Sequence, residues 1–251
     1  MTDRTWTSFS VPYRVRFDEA GSDGLLRTSG LLRYAQDVAW QHSVARGFGR
    51  AWYADRGLAW VVRAVDLTVL AAIPLGSQLD TTTRVIGQRR VWARRMGEFR
   101  LDGQLVSRVQ TDWLLLDGAN RPARLPPEFD GAFAMLPAAD GLARVQLVPA
   151  PPDADRRTIS ARPQEIDPMT HVNNAVYLDW LEESVRATDA AAPVLTALPR
   201  RVRLDYAGSA DLGLPVIAIT WRQDACWYHR LERKDGSLLV AATLSESDAG
   251  A

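Results

Sequence analysis

A chain of 251 residues, 47% hydrophobic and 24% charged, carries enough apolar material for one large or two modest globular cores. Thirty basic and thirty acidic residues balance, so no net field singles out nucleic acid or an anionic membrane as a partner. The single cysteine, Cys226, excludes an internal disulfide, and with three histidines no structural zinc site is expected. The N-terminal MTDRTWTSFSVPYRVRF has no apolar signal-peptide core. The most hydrophobic stretch, LAWVVRAVDLTVLAAIPLG, is interrupted by Arg63 and Asp66. The expectation is a cytoplasmic protein with no membrane span, no metal and no cofactor.

In chain order, a strand-like YRVRFDEA passes through a Gly/Asp turn into LLRTSGLLRYAQDVAWQHSVARGFG. Leu31, Tyr34, Ala35, Val38 and Ala39 recur there at helical spacing, with Thr28 or Ser29 as the cap candidate. Strands follow through VVRAVDLTVLAAIPLGSQLDTTTRVIG, RRVWARRMGEFRLDG and QLVSRVQTDWLLLD, with Asp102-Gly103 as a hairpin turn. Residues 119–158 are rich in proline, including Pro122, Pro126, Pro127, Pro137, Pro149, Pro151 and Pro152, and read as a linker.

The pattern then repeats. RTISARPQEID leads through PMTHVNN into AVYLDWLEESVRATDA, where Asn173 or Asn174 can cap a helix apolar on nearly every side. RRVRLDYAGSADLGLPVIAITW, CWYHRLERKDG and SLLVAATLSES match the strands of the first half. Pro74-Leu75-Gly76 falls against Asp211-Leu212-Gly213, and Asp102-Gly103 against Asp235-Gly236. Each half is thus strand, long helix and several antiparallel strands, an α+β layout made twice: 1–118, the linker 119–158, and 159–251.

One stretch, EIDPMTHVNNAVYLDW at 165–180, concentrates polar groups ahead of a helix. Asp167 offers a base or nucleophile, His171 a helper four residues on, and the helix start a positive dipole end with unpaired N–H groups. The same letters also suit an N-terminal acid and a cap, and the residues alone leave both readings open. The first half lacks this equipment. Leu25, Arg27 and Thr28 stand against His171, Asn173 and Asn174, so one active site per chain is expected.

FDEAGSDGLLRTSGLLRYAQDVAWQHS with GLAWVVRAVDLTV resembles the N-terminal half of the acyl-ACP thioesterases of bacteria and plant plastids. HVNNAVYLDWLEES with LDY resembles their C-terminal half. The resemblance implies two tandem hotdog units, each a long central helix wrapped by an antiparallel sheet. The first would shape the pocket for the fatty acyl chain and the second would carry catalysis. It puts Asp167 and His171 on the family's catalytic Asp and His. Asn173 and Asn174 become candidates to orient the thioester or a water, and Trp60, with Trp40, Trp52, Val62 and Leu32, a candidate pocket lining. Three positions depart from the pattern: Met169 stands where the family has Asn, and Ser209 and Ala210 where it has Glu and, in some members, Cys. The Asp-Pro of Glu165-Ile166-Asp167-Pro168 is similar to single-hotdog acyl-CoA thioesterases, in which the Asp alone acts.

The implied partner is an acyl carrier protein bearing an acyl-phosphopantetheine thioester, and the implied reaction its hydrolysis to fatty acid and carrier. Arg89, Arg90, Arg94 and Arg95 would suit an acidic carrier, although strand alternation splits them between two faces. An acyl-CoA thioesterase of the same fold and a non-catalytic acyl or acyl-carrier binding protein stay open. A homodimer is also left open, since hotdog sheets often pair edge to edge. His42 and His229 read as structural or exposed, and Cys226 as a plain thiol far from the site. No nucleotide-binding glycine loop or Gly-x-Ser-x-Gly elbow is present, and a dehydratase's His and acid placement is not found.

Overall fold

The structure is a computed structural model that describes residues 8–130, 132–133 and 144–246. Residues 1–7 of the N-terminal stretch, and residue 131 and residues 134–143 of the proline-rich connection, lie outside that description. The chain divides into two compact units, Met1–Val65 with Ala72–Leu142, and Asp66–Ala71 with Ala143–Ala251.

The first unit runs β1 (Phe9–Arg14), α1 (Thr28–Ala45), a short α2 (Arg50–Asp55), β2 (Leu58–Val69), β3 (Gln78–Arg89), β4 (Trp92–Leu101) and β5 (Gln104–Asp117). Its strands lie in the order β1-β3-β4-β5-β2. Alternation decides which face is covered: Leu79, Thr81, Thr83 and Val85 of β3 are buried, while Asp80 and Arg84 point to solvent. Against strands β1, β3 and β5 lies α1, whose Leu31, Leu32, Tyr34 and Val38 are all buried. Each such side chain removed from water contributes about 2 kcal/mol. Asp102 and Gly103 both take positive φ, 50° and 80°, the two-residue loop whose twist matches the strands it joins.

The second unit runs β6 (Asp155–Ser160), α3 (Asn174–Thr188), β7 (Arg200–Tyr206), β8 (Pro215–Gln223), β9 (Cys226–Glu232) and β10 (Leu238–Glu246). Its order, β6-β8-β9-β10-β7, repeats that of the first unit with β6 in place of β1 and β7 in place of β2. The α3 helix packs on β8 and buries Ala175 to Leu178, Trp180 and Leu181. Asp66, at the end of β2 that belongs to this unit, accepts two hydrogen bonds from the Arg201 guanidinium, 2.8 and 2.5 Å long.

The leading strand of each half is shorter than the segment that suggested it. In strand-like YRVRFDEA and its counterpart RTISARPQEID the strands end at Arg14 and Ser160, and short 3-10 turns follow at Phe17–Glu19 and Pro163–Glu165. In each turn a glutamate carboxylate reaches back to an arginine N–H, Glu19 to Arg16 at 2.9 Å and Glu165 to Arg162 at 2.7 Å. That closes the chain where propensity would extend it. Nor do Thr28 and Ser29 cap α1. They sit buried inside its first turn, and Arg27 is the N-cap, held by its N–H on the Glu19 carbonyl. Within 119–158, Phe129 is 2% exposed among Phe48, Tyr53, Trp52 and Trp60 of the first unit, and β6 begins at Asp155.

Candidate active site

The stretch before α3 folds as a closed loop. Ile166 and Val172 form an isolated antiparallel bridge, and inside it the Asp167 N–H donates to the His171 carbonyl at 2.8 Å. The Thr170 N–H returns to the Asp167 carbonyl at 2.9 Å, which requires Thr170 to take φ 65°. Asp167 Oδ1 accepts the Met169 N–H at 2.8 Å and, at 3.4 Å, the His171 N–H. An aspartate folding back on the backbone two residues ahead is a standard turn device. It leaves Oδ2 without a hydrogen-bond partner among the described residues.

The same backbone loop exists in the first unit, with Asp23 Oδ1 accepting the Leu25 N–H at 3.0 Å as its side-chain bond. Ala20 bridges Leu26, the Gly21 N–H donates to the Leu25 carbonyl at 2.8 Å, and the Gly24 N–H returns to Gly21 at 3.0 Å with φ 72°. The N-cap residues Arg27 and Asn173 both donate to the glutamate carbonyl eight residues back, Glu19 at 3.1 Å and Glu165 at 2.9 Å. Gly21 therefore stands where the second unit has Asp167, and Leu25 where it has His171.

At the helix start the Asn173 side chain accepts the Ala175 N–H at 2.9 Å, and the Asn173 carbonyl takes the Val176 N–H at 2.9 Å. Asn173 is thus the cap that its type suggests. The Asn174 N–H is left as the first-turn donor with no partner among the described residues, at the positive end of the helix. Tyr206 donates its hydroxyl to the Asn174 carbonyl at 3.0 Å and so fixes this turn.

Asp167, His171, Asn173 and Asn174 are therefore gathered in one loop and helix end. Asp167 is half-buried and His171 exposed, and their link is through the backbone, with no imidazole–carboxylate hydrogen bond among the described residues. Trp60 belongs to the first unit, where its indole N–H donates to the Tyr53 hydroxyl at 3.0 Å and its ring stacks on Phe129. Trp40 is 43% exposed on α1.

Sequence reading missed the supports. Tyr177, read only as part of an apolar face, takes the Ala210 N–H on its hydroxyl at 2.8 Å and lies 3.3 Å from Ser209 Oγ. Arg233 Nη2 holds the Ser209 carbonyl at 2.9 Å. The two positions that depart from the resemblance are thus tied into the packing, and the Met169 side chain is 47% exposed. A hydroxyl on an otherwise apolar helix face was the available signal, since a buried hydroxyl needs a partner.

The remaining titratable groups have other work. Cys226 sits at the β8–β9 turn, and burial pushes its thiol up, away from thiolate character. His229 is fully buried against Thr220 Oγ1 at 2.8 Å, and burial takes it down to about 3. His42 is buried between Phe9 and Phe133, with Arg95 Nη1 3.1 Å from its Nδ1. Burial, with Arg95 and Arg46 beside it, lowers it to about 4. Among the described residues no cluster of His, Cys, Asp and Glu could hold a metal ion, and no helix is long and apolar enough to cross a membrane.

Two units of identical strand order, each with one long helix on its sheet, and a polar loop at one helix start describe a double-hotdog protein. The acyl-ACP thioesterase N-terminal domain model matches residues 7–132 and the acyl-ACP thioesterase C-terminal domain model residues 150–240, so the chain belongs to the acyl-ACP thioesterase family. It is 25% identical over 214 residues to a chloroplastic palmitoyl-acyl carrier protein thioesterase of Gossypium hirsutum, covering 78% of this chain and 51% of that one. The chain spans about half the length of the curated plant relatives it matches. A crystal structure assigned as an oleoyl thioesterase from Lactobacillus plantarum superposes with a TM-score of 0.85 at 20% identity, covering 98% of this chain and 99% of that one. The 12:0-ACP thioesterase from Umbellularia californica gives 0.80 at 19% identity, over 95% and 96%. These superpositions establish the hotdog fold.

Proposed function

We propose that the protein is a thioesterase that hydrolyses fatty acyl-ACP to free fatty acid and carrier protein. The observation that carries this reading is the contrast between two loops of one backbone pattern. Both use an aspartate as a turn acceptor, Asp23 for the Leu25 N–H at 3.0 Å and Asp167 for the Met169 N–H at 2.8 Å, but only the second has its carboxylate at the loop's first position and an imidazole at its last. Asp167 is the base that activates water, or the nucleophile that attacks the thioester carbonyl. Either way the carbon–sulfur bond breaks and the carrier's thiolate takes a proton, and on the nucleophile route water then cleaves the acyl anhydride on Asp167, releasing the fatty acid and restoring the carboxylate. The developing oxyanion is received by the Asn174 N–H at the start of α3, a donor whose loss in other enzymes costs roughly 3 kcal/mol. His171, exposed at the loop's end, supplies or removes the proton, and Asn173 keeps the helix mouth in place. Family membership supports the substrate class, the fatty acyl chain and the carrier partner. In this reading Trp60 belongs to the acyl-chain side of the enzyme.

The experiment is an assay of released thiol and free fatty acid from acyl-ACP and acyl-CoA of several chain lengths, with wild type and Asp167→Asn. Loss of turnover in the variant supports the mechanism, and undiminished turnover overturns it. Equal or better cleavage of CoA esters would favour an acyl-CoA thioesterase. Met169, and the use of Ser209 and Ala210 in the Tyr177 and Arg233 contacts, favour a second reading, a non-catalytic acyl-carrier binder. Tight acyl binding without thiol release would establish it.

A further inference from the structure

Arg94 and Arg95 project from opposite faces of β4, and only one of them meets a carboxylate. Arg94 makes a two-pronged ion pair with Asp112, its register partner on β5, at 2.7 and 3.0 Å. Arg95 turns to the α1 side, with Nη1 3.1 Å from His42 Nδ1 and its guanidinium carbon 5.4 Å from the centre of the Phe133 ring. Among the described residues no carboxylate lies within ion-pair distance of Arg95, and its other N–H groups meet no acceptor. Arg89 and Arg90 are exposed at the β3–β4 turn.

His42 does not replace the missing anion. A neutral imidazole accepts at one nitrogen, and the Arg46 Nε–H is aimed at Nε2 at 3.5 Å while Arg95 faces Nδ1, so only one of the two contacts is a hydrogen bond at a time. Burial and the two arginines also hold the ring neutral, down at about 4. Arg95 itself is half-buried, yet burial lowers its guanidinium to about 10. Its charged end is thus enclosed while part of the residue still meets solvent, as in the wall of a recess. An enclosed charge without a counter-charge is unfavourable, and a ligand that brings the anion relieves it.

The surroundings define the rest of that ligand. Phe133 packs on Phe48 and Phe129 with ring centres 5.8 and 5.9 Å apart, and Trp60 stacks on Phe129 at 6.1 Å. The polar groups of this cluster are already used: the Tyr53 hydroxyl takes the Trp60 indole N–H and shares a hydrogen with Ser43 Oγ, both at 3.0 Å. An apolar body beside the rings, with one anionic group on the arginine fork, fits such a wall, whereas a small hydrated anion gains nothing from the rings. A carboxylate matches the fork in two-pronged geometry.

We propose that Arg95, with the aromatic cluster of the first unit, is the receptor for a carboxylate carried on an aliphatic chain. Two ligands bring that chemistry, a free fatty acid and an acyl chain with a second carboxylate at its far end. The second rests on the thioesterase reading above, and the first does not.

The test titrates wild type and Arg95→Met with decanoate and with 1-decanol, read by calorimetry. Decanoate is expected to bind wild type, and to bind Arg95→Met at least about tenfold more weakly, with 1-decanol binding unchanged. Equal decanoate affinity in the two proteins, or none in wild type, overturns the receptor. Arg95→Met should melt at or above the wild-type temperature, since it removes an enclosed charge and keeps an apolar stem. Melting well below wild type would show that the protein already balances the charge, and the proposal falls. A further readout needs no variant. The carboxyl carbon of labelled decanoate, followed by NMR in the wild-type complex, should titrate below its free range beside a guanidinium, and titration at or above that range overturns the proposal. The two sources separate in Asp167→Asn, which spares the ligand. Tighter binding of the N-acetylcysteamine monothioester of decanedioate than of decanoate's assigns the far end of an acyl chain, and tight decanoate binding without that difference assigns a free fatty acid. Decanoate binding that depends on Arg95, in a protein that releases no thiol from acyl-ACP, keeps the receptor and sinks the proposed activity.

Discussion

The N–H of Asp167 donates to the carbonyl of His171 at 2.8 Å, and this bond closes the loop that opens α3. Gly21 and Leu25 close the first unit's loop with a bond of the same length, so the closing bond itself needs neither the Asp167 carboxylate nor the imidazole, while Asp23 Oδ1 there supplies the turn acceptor, for the Leu25 N–H. Asp167→Asn keeps the Oδ1 acceptor for Met169, and Asp167→Gly/Met169→Asp copies Gly21 and Asp23 of the first unit. Both variants are expected to melt within a few degrees of wild type, while thiol release falls by on the order of a hundredfold or more. Thermal denaturation beside a thiol-release assay checks this. A large loss of stability with activity per folded molecule preserved would give Asp167 back to the turn.

Thr170 pays for its φ of 65°, a left-handed conformation that a β-branched residue rarely adopts. The first unit places Gly24 at that point with φ 72°. Thr170→Gly should therefore raise stability by about 1 kcal/mol, read as a higher urea midpoint. An unchanged or lower midpoint would mean that the threonine side chain compensates its backbone.

Acid should weaken the fold through two histidines. Burial first, then Arg95 and Arg46, lowers His42 to about 4, and burial lowers His229 to about 3. Unfolded histidine titrates near 6.5, so below that pH the unfolded chain binds protons that the native chain refuses. Their stabilising contribution is complete above about pH 6.5 and is lost as pH falls toward 4 and then 3. The combined effect is on the order of a few kcal/mol. Urea midpoints at pH 7.5 and 5 should differ clearly in wild type and less in His42→Gln and His229→Gln. Equal pH dependence in all three proteins would place the effect on other groups.

Arg94 and Asp112 are both buried and bonded twice to each other. Asp112→Ala strands the guanidinium and should cost about 3–5 kcal/mol, whereas Arg94→Met/Asp112→Leu removes both charges and should cost far less. Denaturant unfolding of the two variants separates an ion pair needed for the fold from one that is merely satisfied.

What could be read without coordinates was the periodic part. Helical spacing found α1, an apolar run behind a capping Asn found α3, and matching the two halves found the later strands and set the Asp167–His171 loop apart from its counterpart. What escaped depends on groups distant in sequence. The backward reach of Glu19 and Glu165 ends β1 and β6 early, and no local propensity carries that. Tyr177 meets Ala210 and Ser209 only once β7 lies beside α3, and Tyr206 reaches Asn174 the same way. Arg94 could be assigned to the interior only after its cross-strand partner was known to be Asp112. For the candidate site, the residues in the loop were visible from their order, and the identity of the capped N–H groups was not.

The duplicated loop has a bearing on symmetry. In an assembly of two identical subunits, every change in the chain appears at both equivalent places, so a group installed for chemistry is installed twice. Here the two copies share one chain but are written separately, and Gly21 differs from Asp167 without disturbing the turn they share. The first copy thus keeps the shared turn with no carboxylate at Gly21 and no imidazole at Leu25.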